Sequence, residues 1–130
     1  MPTSYRSDAR PVSLLLVEDD EIDATAVRRA LAVLKIANPL HVARDGFEAL
    51  ETLRGENGRE KISRPYLILL DLNMPRMDGR EFLEELRKDP ELADSIVFIM
   101  TTSRNEEDKR AACSLNVAGY IVKEDPIGTF

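Results

Sequence analysis

Five short apolar runs, separated by stretches of helical periodicity, constrain the fold of this chain more than any other feature. Val12–Val17, Tyr66–Leu70 and Ile96–Met100 have the length and composition of buried strands, and Leu40–Ala43 and Gly119–Val122 are shorter runs of the same kind. Between them, Ile22, Ala26, Ala30 and Val33 fall on one face of a first helix, Phe47, Leu50 and Leu53 on one face of a second, and Phe82, Leu83 and Leu86 on one face of a third. A fourth is expected from about Asn105 to Leu115, buried through Ala111, Ala112 and Leu115. Asp45 before Glu48, Asp78 before Glu81 and Ser103 before Glu106 each place a capping side chain three residues ahead of a Glu, which marks helix starts. The order is β-α-β-α-β-α-β-α-β. Strands apolar on both faces need cover on both, so this alternation predicts an α/β fold, a five-stranded parallel sheet with helices on each side. Gly55–Arg64 reads as a polar loop. A fifth helix should follow the fifth strand, but the chain stops at Phe130, so the final helix is either absent or truncated.

The chain's 130 residues suffice for one domain with a real core, expected over 12–130 behind a loose tail at 1–11 that Pro2 and Pro11 interrupt. Asp and Glu number 24 against 18 Lys and Arg, a net charge of −6, which disfavours nucleic acid and anionic membranes as partners. The apolar runs are too short to span a bilayer or to form a signal-peptide core. A single cysteine, Cys113, cannot form an internal disulfide, and a cytoplasmic location is expected.

The chemistry lies at the ends of the strands. The first run ends in Glu18-Asp19-Asp20, the third in Asp71, the fourth in Thr101-Thr102, and Lys123 stands just past the fifth. Open parallel sheets bind ligands beyond the carboxyl ends of their strands, so these polar residues are predicted to meet at one edge. Carboxylates gathered there would repel one another by roughly 4 kcal/mol per pair at 4 Å and an effective dielectric near 20, unless a cation relieves them. Oxygen ligands without His or Cys select Mg²⁺ or a similar ion. Carboxylate, Mg²⁺, hydroxyl and ammonium together suit phosphoryl transfer, where positioning and charge neutralisation do most of the work.

These residues resemble the receiver domains of two-component response regulators. The matching stretches are Leu14-Leu15-Leu16-Val17-Glu18-Asp19-Asp20, Ile68-Leu69-Leu70-Asp71-Leu72-Asn73-Met74-Pro75-Arg76-Met77-Asp78-Gly79, Ile99-Met100-Thr101-Thr102-Ser103 and Gly119-Tyr120-Ile121-Val122-Lys123. The resemblance covers nearly the whole chain, in order and at the usual spacings. It implies a flavodoxin-like, doubly wound sheet of order 2-1-3-4-5. It makes Asp71 the phosphoacceptor and Glu18, Asp19, Asp71 and the backbone carbonyl of Asn73 the Mg²⁺ ligands. Thr101 and Lys123 would hold the phosphoryl group, and Tyr120 would be an aromatic switch. A sensor histidine kinase is the implied donor and a downstream protein or phosphotransfer partner the implied target; the domain would assist its own phosphorylation and dephosphorylation without being a turnover enzyme. The stretch Ser63-Arg64-Pro65-Tyr66-Leu67-Ile68-Leu69-Leu70-Asp71-Leu72-Asn73 with the long loop before it, Asp78-Gly79-Arg80-Glu81 and the Thr101-Thr102-Ser103 motif are similar to the small response regulators paired with bacterial and cyanobacterial phytochromes, which are commonly stand-alone receivers that form dimers. One departure is Glu124, where receivers usually carry Pro after the lysine.

Plainer readings exist for each residue. A lone Asp at a strand end is usually a cap, but Asp20 and Asp23 are better placed than Glu18 or Asp19 to cap the first helix. Thr101 could be an ordinary β-branched strand residue, Lys123 a solvated amine and Tyr120 edge-strand packing. His41 lacks an acidic partner and Cys113 lacks a histidine, so neither reads as a nucleophile. Among rival functions, a haloacid-dehalogenase-type phosphatase needs a second Asp where Asn73 stands, and a flavin-binding flavodoxin would not place three acids against the FMN phosphate. A pseudo-receiver that takes no phosphate is the alternative to the switch.

Overall fold

The computed structural model describes residues 12–72, 77–101 and 116–122. The expected tail, the fourth helix with its Ser103 cap and Cys113, and the question of a final helix all lie outside them. The strands are β1 (Ser13–Val17), β2 (Leu40–Ala43), β3 (Tyr66–Asp71), β4 (Ile96–Thr101) and β5 (Gly119–Val122), each within a residue or so of the run that predicted it. They form one parallel sheet of order β2-β1-β3-β4-β5. Chain order reverses between β1 and β3, the neighbours on either side of the switch point.

Helices α1 (Glu21–Val33), α2 (Gly46–Arg54) and α3 (Gly79–Lys88) follow β1, β2 and β3. On one face of the sheet, Leu15, Val17, Ile68, Leu70, Val97 and Ile99 pack with Leu50 and Leu53 of α2 and Phe82, Leu83 and Leu86 of α3. On the other, Leu14, Leu16, Leu69, Met100 and Ile121 pack with Ala24, Val27 and Leu31 of α1. Alternate residues of the central strands β1, β3 and β4 thus feed opposite cores, which is why their runs are almost wholly apolar.

Two faces differ from expectation. In α1 the buried residues are Ala24, Val27, Ala30 and Leu31, whereas Ile22 is 80% and Val33 63% exposed. The helix carries two overlapping apolar series at spacings of three and four, and its docking angle against β1 selects the second. Phe47 is likewise 46% exposed at the first turn of α2, while Ala49 joins Leu50 and Leu53 inside.

The helix starts form as the sequence indicates. Asp45 Oδ1 accepts from Glu48 N at 2.9 Å and Asp78 Oδ1 from Glu81 N at 2.9 Å. Asp20 caps α1, accepting from Ile22 N at 2.8 Å and Asp23 N at 3.3 Å. Asp20→Ala is therefore expected to lower stability by about 1 kcal/mol in urea unfolding, with Asp20→Asn close to wild type because Asn caps as well. Equal stabilities for the alanine and wild-type chains would remove this role. The loop after α2 begins at Gly55, whose φ of 70° ends the helix in the left-handed region. Arg59 ties the loop back to Glu48 and Glu51, and Ile62 is buried beneath it.

Candidate metal and phosphoacceptor site

β1 and β3 are parallel neighbours, paired from Ser13 with Tyr66 to Val17 with Leu70, so the residues following each pair emerge at the same edge. Glu18 leaves β1 there with its backbone N–H still bonded to Ala43 O of β2 at 2.9 Å. Asp71 is the last residue of β3. One carboxylate oxygen from each of Glu18, Asp19 and Asp71 lies within 4.8 Å of the others. Glu18 and Asp71 are 2% and 3% exposed, and Asp19 is open to solvent.

The turn that holds the first two acids is fixed locally. Asp20 N donates to Glu18 Oε1 at 3.2 Å, while the Asp20 side chain is committed to the α1 N-terminus. Asp20 is thereby directed to the helix, and its two predecessors are left facing Asp71. Three carboxylates with no His or Cys among them form a hard oxygen donor set, which fits Mg²⁺ or Mn²⁺ and not a soft metal. At about 5 Å and an effective dielectric near 20, each pair of charges costs roughly 3 kcal/mol, so the cluster favours a cation.

Beside the acids opens a cleft of about 360 Å³, lined by Glu18, Asp19, Glu21, Ala24, Thr25, Arg28, Val42 and Arg44. Arg28 and Arg44 were not singled out in the sequence, because only the placement of β2 beside β1 brings Arg44 to this edge. Arg44 pairs with Glu21 at 3.6 Å, both well exposed, a contact worth little by itself.

The remaining predicted residues divide by position. Thr101 ends β4 in register with Val122, one step beyond the Asp71–Met100 pair, so its backbone reaches the edge where the acids meet. Tyr120 sits on β5 opposite Ile99, partly buried against the core that α2 and α3 cover. Asn73 and Lys123 lie outside the described residues. Sequence reading gave no separate role to Gly79, although Asp71 depends on it. The Gly79 N–H donates to Leu72 O at 3.1 Å, and a Cβ at this position would lie 2.6 Å from both Asp71 O and Leu72 Cα. The Asp78-Gly79 pair just after the acid loop is the signal that could have found it, a cap followed by a residue small enough to touch the strand.

Comparison with known proteins gives one consistent family. A response regulator receiver domain model matches residues 14–127. Response regulator Rcp1 of Synechocystis sp. is 42% identical over 113 residues, covering 87% of this chain and 77% of Rcp1. The solved Mn²⁺-bound form of Rcp1 aligns with a TM-score of 0.79 and 39% identity, over 91% of this chain and 88% of that one. The phosphorylated cyanobacterial phytochrome response regulator RcpA aligns with a TM-score of 0.80 and 37% identity, over 92% and 88% of the two chains. No helix among the described residues is long and apolar enough to cross a membrane.

Proposed function

This chain belongs to the response regulator receiver domain family, and from that premise we propose that it is a phosphoacceptor switch that takes a phosphoryl group on Asp71 from a sensor histidine kinase. The observation that carries the reading is the meeting of Glu18, Asp19 and Asp71, with carboxylate oxygens within 4.8 Å of one another at the carboxyl edge of the two central strands. Glu18, Asp19 and Asp71, with the carbonyl of Asn73, would hold Mg²⁺. When bound, the cation neutralises the acids and the charge on the phosphoryl oxygens.

The rest of the chemistry belongs to the chain. An Asp71 carboxylate oxygen attacks phosphorus as the P–N bond of the donor phosphohistidine breaks, and the bonding electron pair returns to the imidazole nitrogen. The β1–β3 pairing brings Asp71 to the edge where Glu18 and Asp19 stand, which supports a carboxylate held in place for attack. Thr101 and Lys123 hold the phosphoryl oxygens, and Tyr120 follows the change in that contact as an aromatic switch. The acyl phosphate shifts a population between two states through its new contacts, and output passes by protein contact or onward phosphotransfer. The likeness to the phytochrome response regulator RcpA supports a phytochrome-type kinase as donor, and the single cysteine fits a cytoplasmic setting.

The test is incubation with Mg²⁺ and a small acyl-phosphate donor, followed by intact-mass measurement. Wild type should gain one phosphoryl group and Asp71→Asn none. Equal labelling of both chains would remove Asp71 as acceptor. Absence of label on wild type, from this donor and from a candidate kinase, would favour the pseudo-receiver.

A further inference from the structure

At the pole of the sheet opposite the acids, Arg87 near the end of α3 donates to three backbone carbonyls among the described residues. Its Nη1 donates to Ala93 O at 2.8 Å and Ser95 O at 2.7 Å, and its Nη2 donates to Asn116 O at 2.9 Å. The first two acceptors lie where the chain enters β4 and the third where it approaches β5. Burial lowers the Arg87 pKa and the nearby Asp94 raises it, but a guanidinium stays charged throughout the accessible range. The Ser95 side chain is itself bonded to the buried Tyr66 hydroxyl at 2.7 Å, so the β4 entry is anchored to the start of β3. Arg87 extends that anchorage to the segment that leads into β5.

Among the described residues, β5 is a strand of four residues at the end of the sheet, paired with β4. Its approach turns at Asn116, whose φ of 60° is in the left-handed region that asparagine accommodates better than most non-glycine residues, and the Asn116 carbonyl is the one that Arg87 holds. One further bond, Ala118 N to Val97 O at 2.7 Å, precedes the strand. The planar fork of a guanidinium suits several acceptors in fixed directions, and a lysine ammonium cannot reproduce that geometry.

We propose that Arg87 is a positioning residue that fixes the entry of β5 from the far pole and thereby sets the placement of Tyr120 relative to Asp71. In its link to phosphorylation this rests on the reading of Asp71 given above; the anchoring of β5 does not.

Hydrogen exchange of the full chain tests the anchoring, and acyl-phosphate labelling with Mg²⁺ tests its consequence. In Arg87→Met, the amides of Ala118–Val122 should exchange at least about tenfold faster, while those of β1 stay within about twofold of wild type. Labelling of Asp71 should slow by about fivefold, with the Mg²⁺ concentration for half-maximal rate unchanged, because the acids stand on β1 and β3. Arg87→Lys should fold and show an intermediate acceleration confined to β5, which keeps the test decisive if the methionine variant does not fold. Unchanged β5 exchange in both variants, or an equal rise across all strands, overturns the proposal. Were wild type to take no label, the reading of Asp71 would fall and the exchange pattern would still decide the role of Arg87.

Discussion

Replacing Gly79 with alanine is expected to destabilise the protein by about 1–3 kcal/mol and to slow labelling of Asp71 by about tenfold or more. Two effects of opposite sign compete. Gly79 has no left-handed φ among those of the described glycines, so alanine fits the backbone and would gain about 0.4–1 kcal/mol by restricting the unfolded chain. Against this, the added Cβ would stand 2.6 Å from Asp71 O and from Leu72 Cα, both backbone atoms at the exit of β3. Neither can turn aside as a side chain would, so overpacking wins.

The shift falls on the acceptor itself, since the strand exit that must give way carries the Asp71 carboxylate. Gly46 is the contrasting case. The atoms nearest to a Cβ there all belong to the Met77 side chain: Cγ at 2.7 Å and Sδ at 2.8 Å can swing aside, whereas Cβ at 2.9 Å moves only with the Met77 backbone, which carries no site residue. Gly46→Ala should therefore cost at most about 1–3 kcal/mol and still label at a normal rate, since the atoms that give way do not carry Asp71. Urea unfolding and labelling rates measured well below the unfolding transition separate stability from site geometry. Normal labelling of a folded Gly79→Ala chain would show that the close approach does not position Asp71.

The contrast between these glycines shows which parts of the molecule its sequence reveals. All five strands were legible because runs apolar on both faces, such as Leu14–Val17 and Tyr66–Leu70, have few other uses in a chain of this size. The acid cluster was legible for a related reason. Once the strands are parallel, a charged residue at the carboxyl end of each must arrive at a common edge, and the β1–β3 pairing then brings Glu18 and Asp19 to Asp71. The buried face of α1 was not legible, since Ile22-Ala26-Ala30-Val33 and Ala24-Val27-Leu31 have equal claim by periodicity and only the docking of the helix separates them. Arg87 was invisible because its partners are backbone carbonyls, which every residue supplies and no residue type marks. Gly79 lies between these cases: its position after Asp78 announces a helix start, but its contact with Asp71 depends on where that helix lands.

Asp71→Asn should be more stable than wild type in metal-free buffer, by about 1–3 kcal/mol, and should lose most of the stabilisation that Mg²⁺ gives wild type. The sign follows from the cluster. Asp71 takes part in two of the three pairwise repulsions among Glu18, Asp19 and itself, and it is buried, so its charge is poorly screened. The exposed Asp19 is better solvated, which discounts its share and brings the sum well below the bare Coulomb figure. An asparagine of the same shape keeps part of the hydrogen bonding and forfeits about 1–3 kcal/mol for the rest. Removal of the charge therefore outweighs what the amide loses. With Mg²⁺ the balance changes, because an ion that binds only the folded chain adds about 2.7 kcal/mol at a hundredfold excess over its dissociation constant. Wild type should gain that increment and Asp71→Asn little of it, so the order of stabilities narrows or inverts as the metal is added. Urea unfolding of both chains in EDTA and in millimolar Mg²⁺ measures the four values. A variant weaker than wild type in EDTA, or one that gains as much from Mg²⁺, would mean that Asp71 neither repels its neighbours nor shares a cation with them.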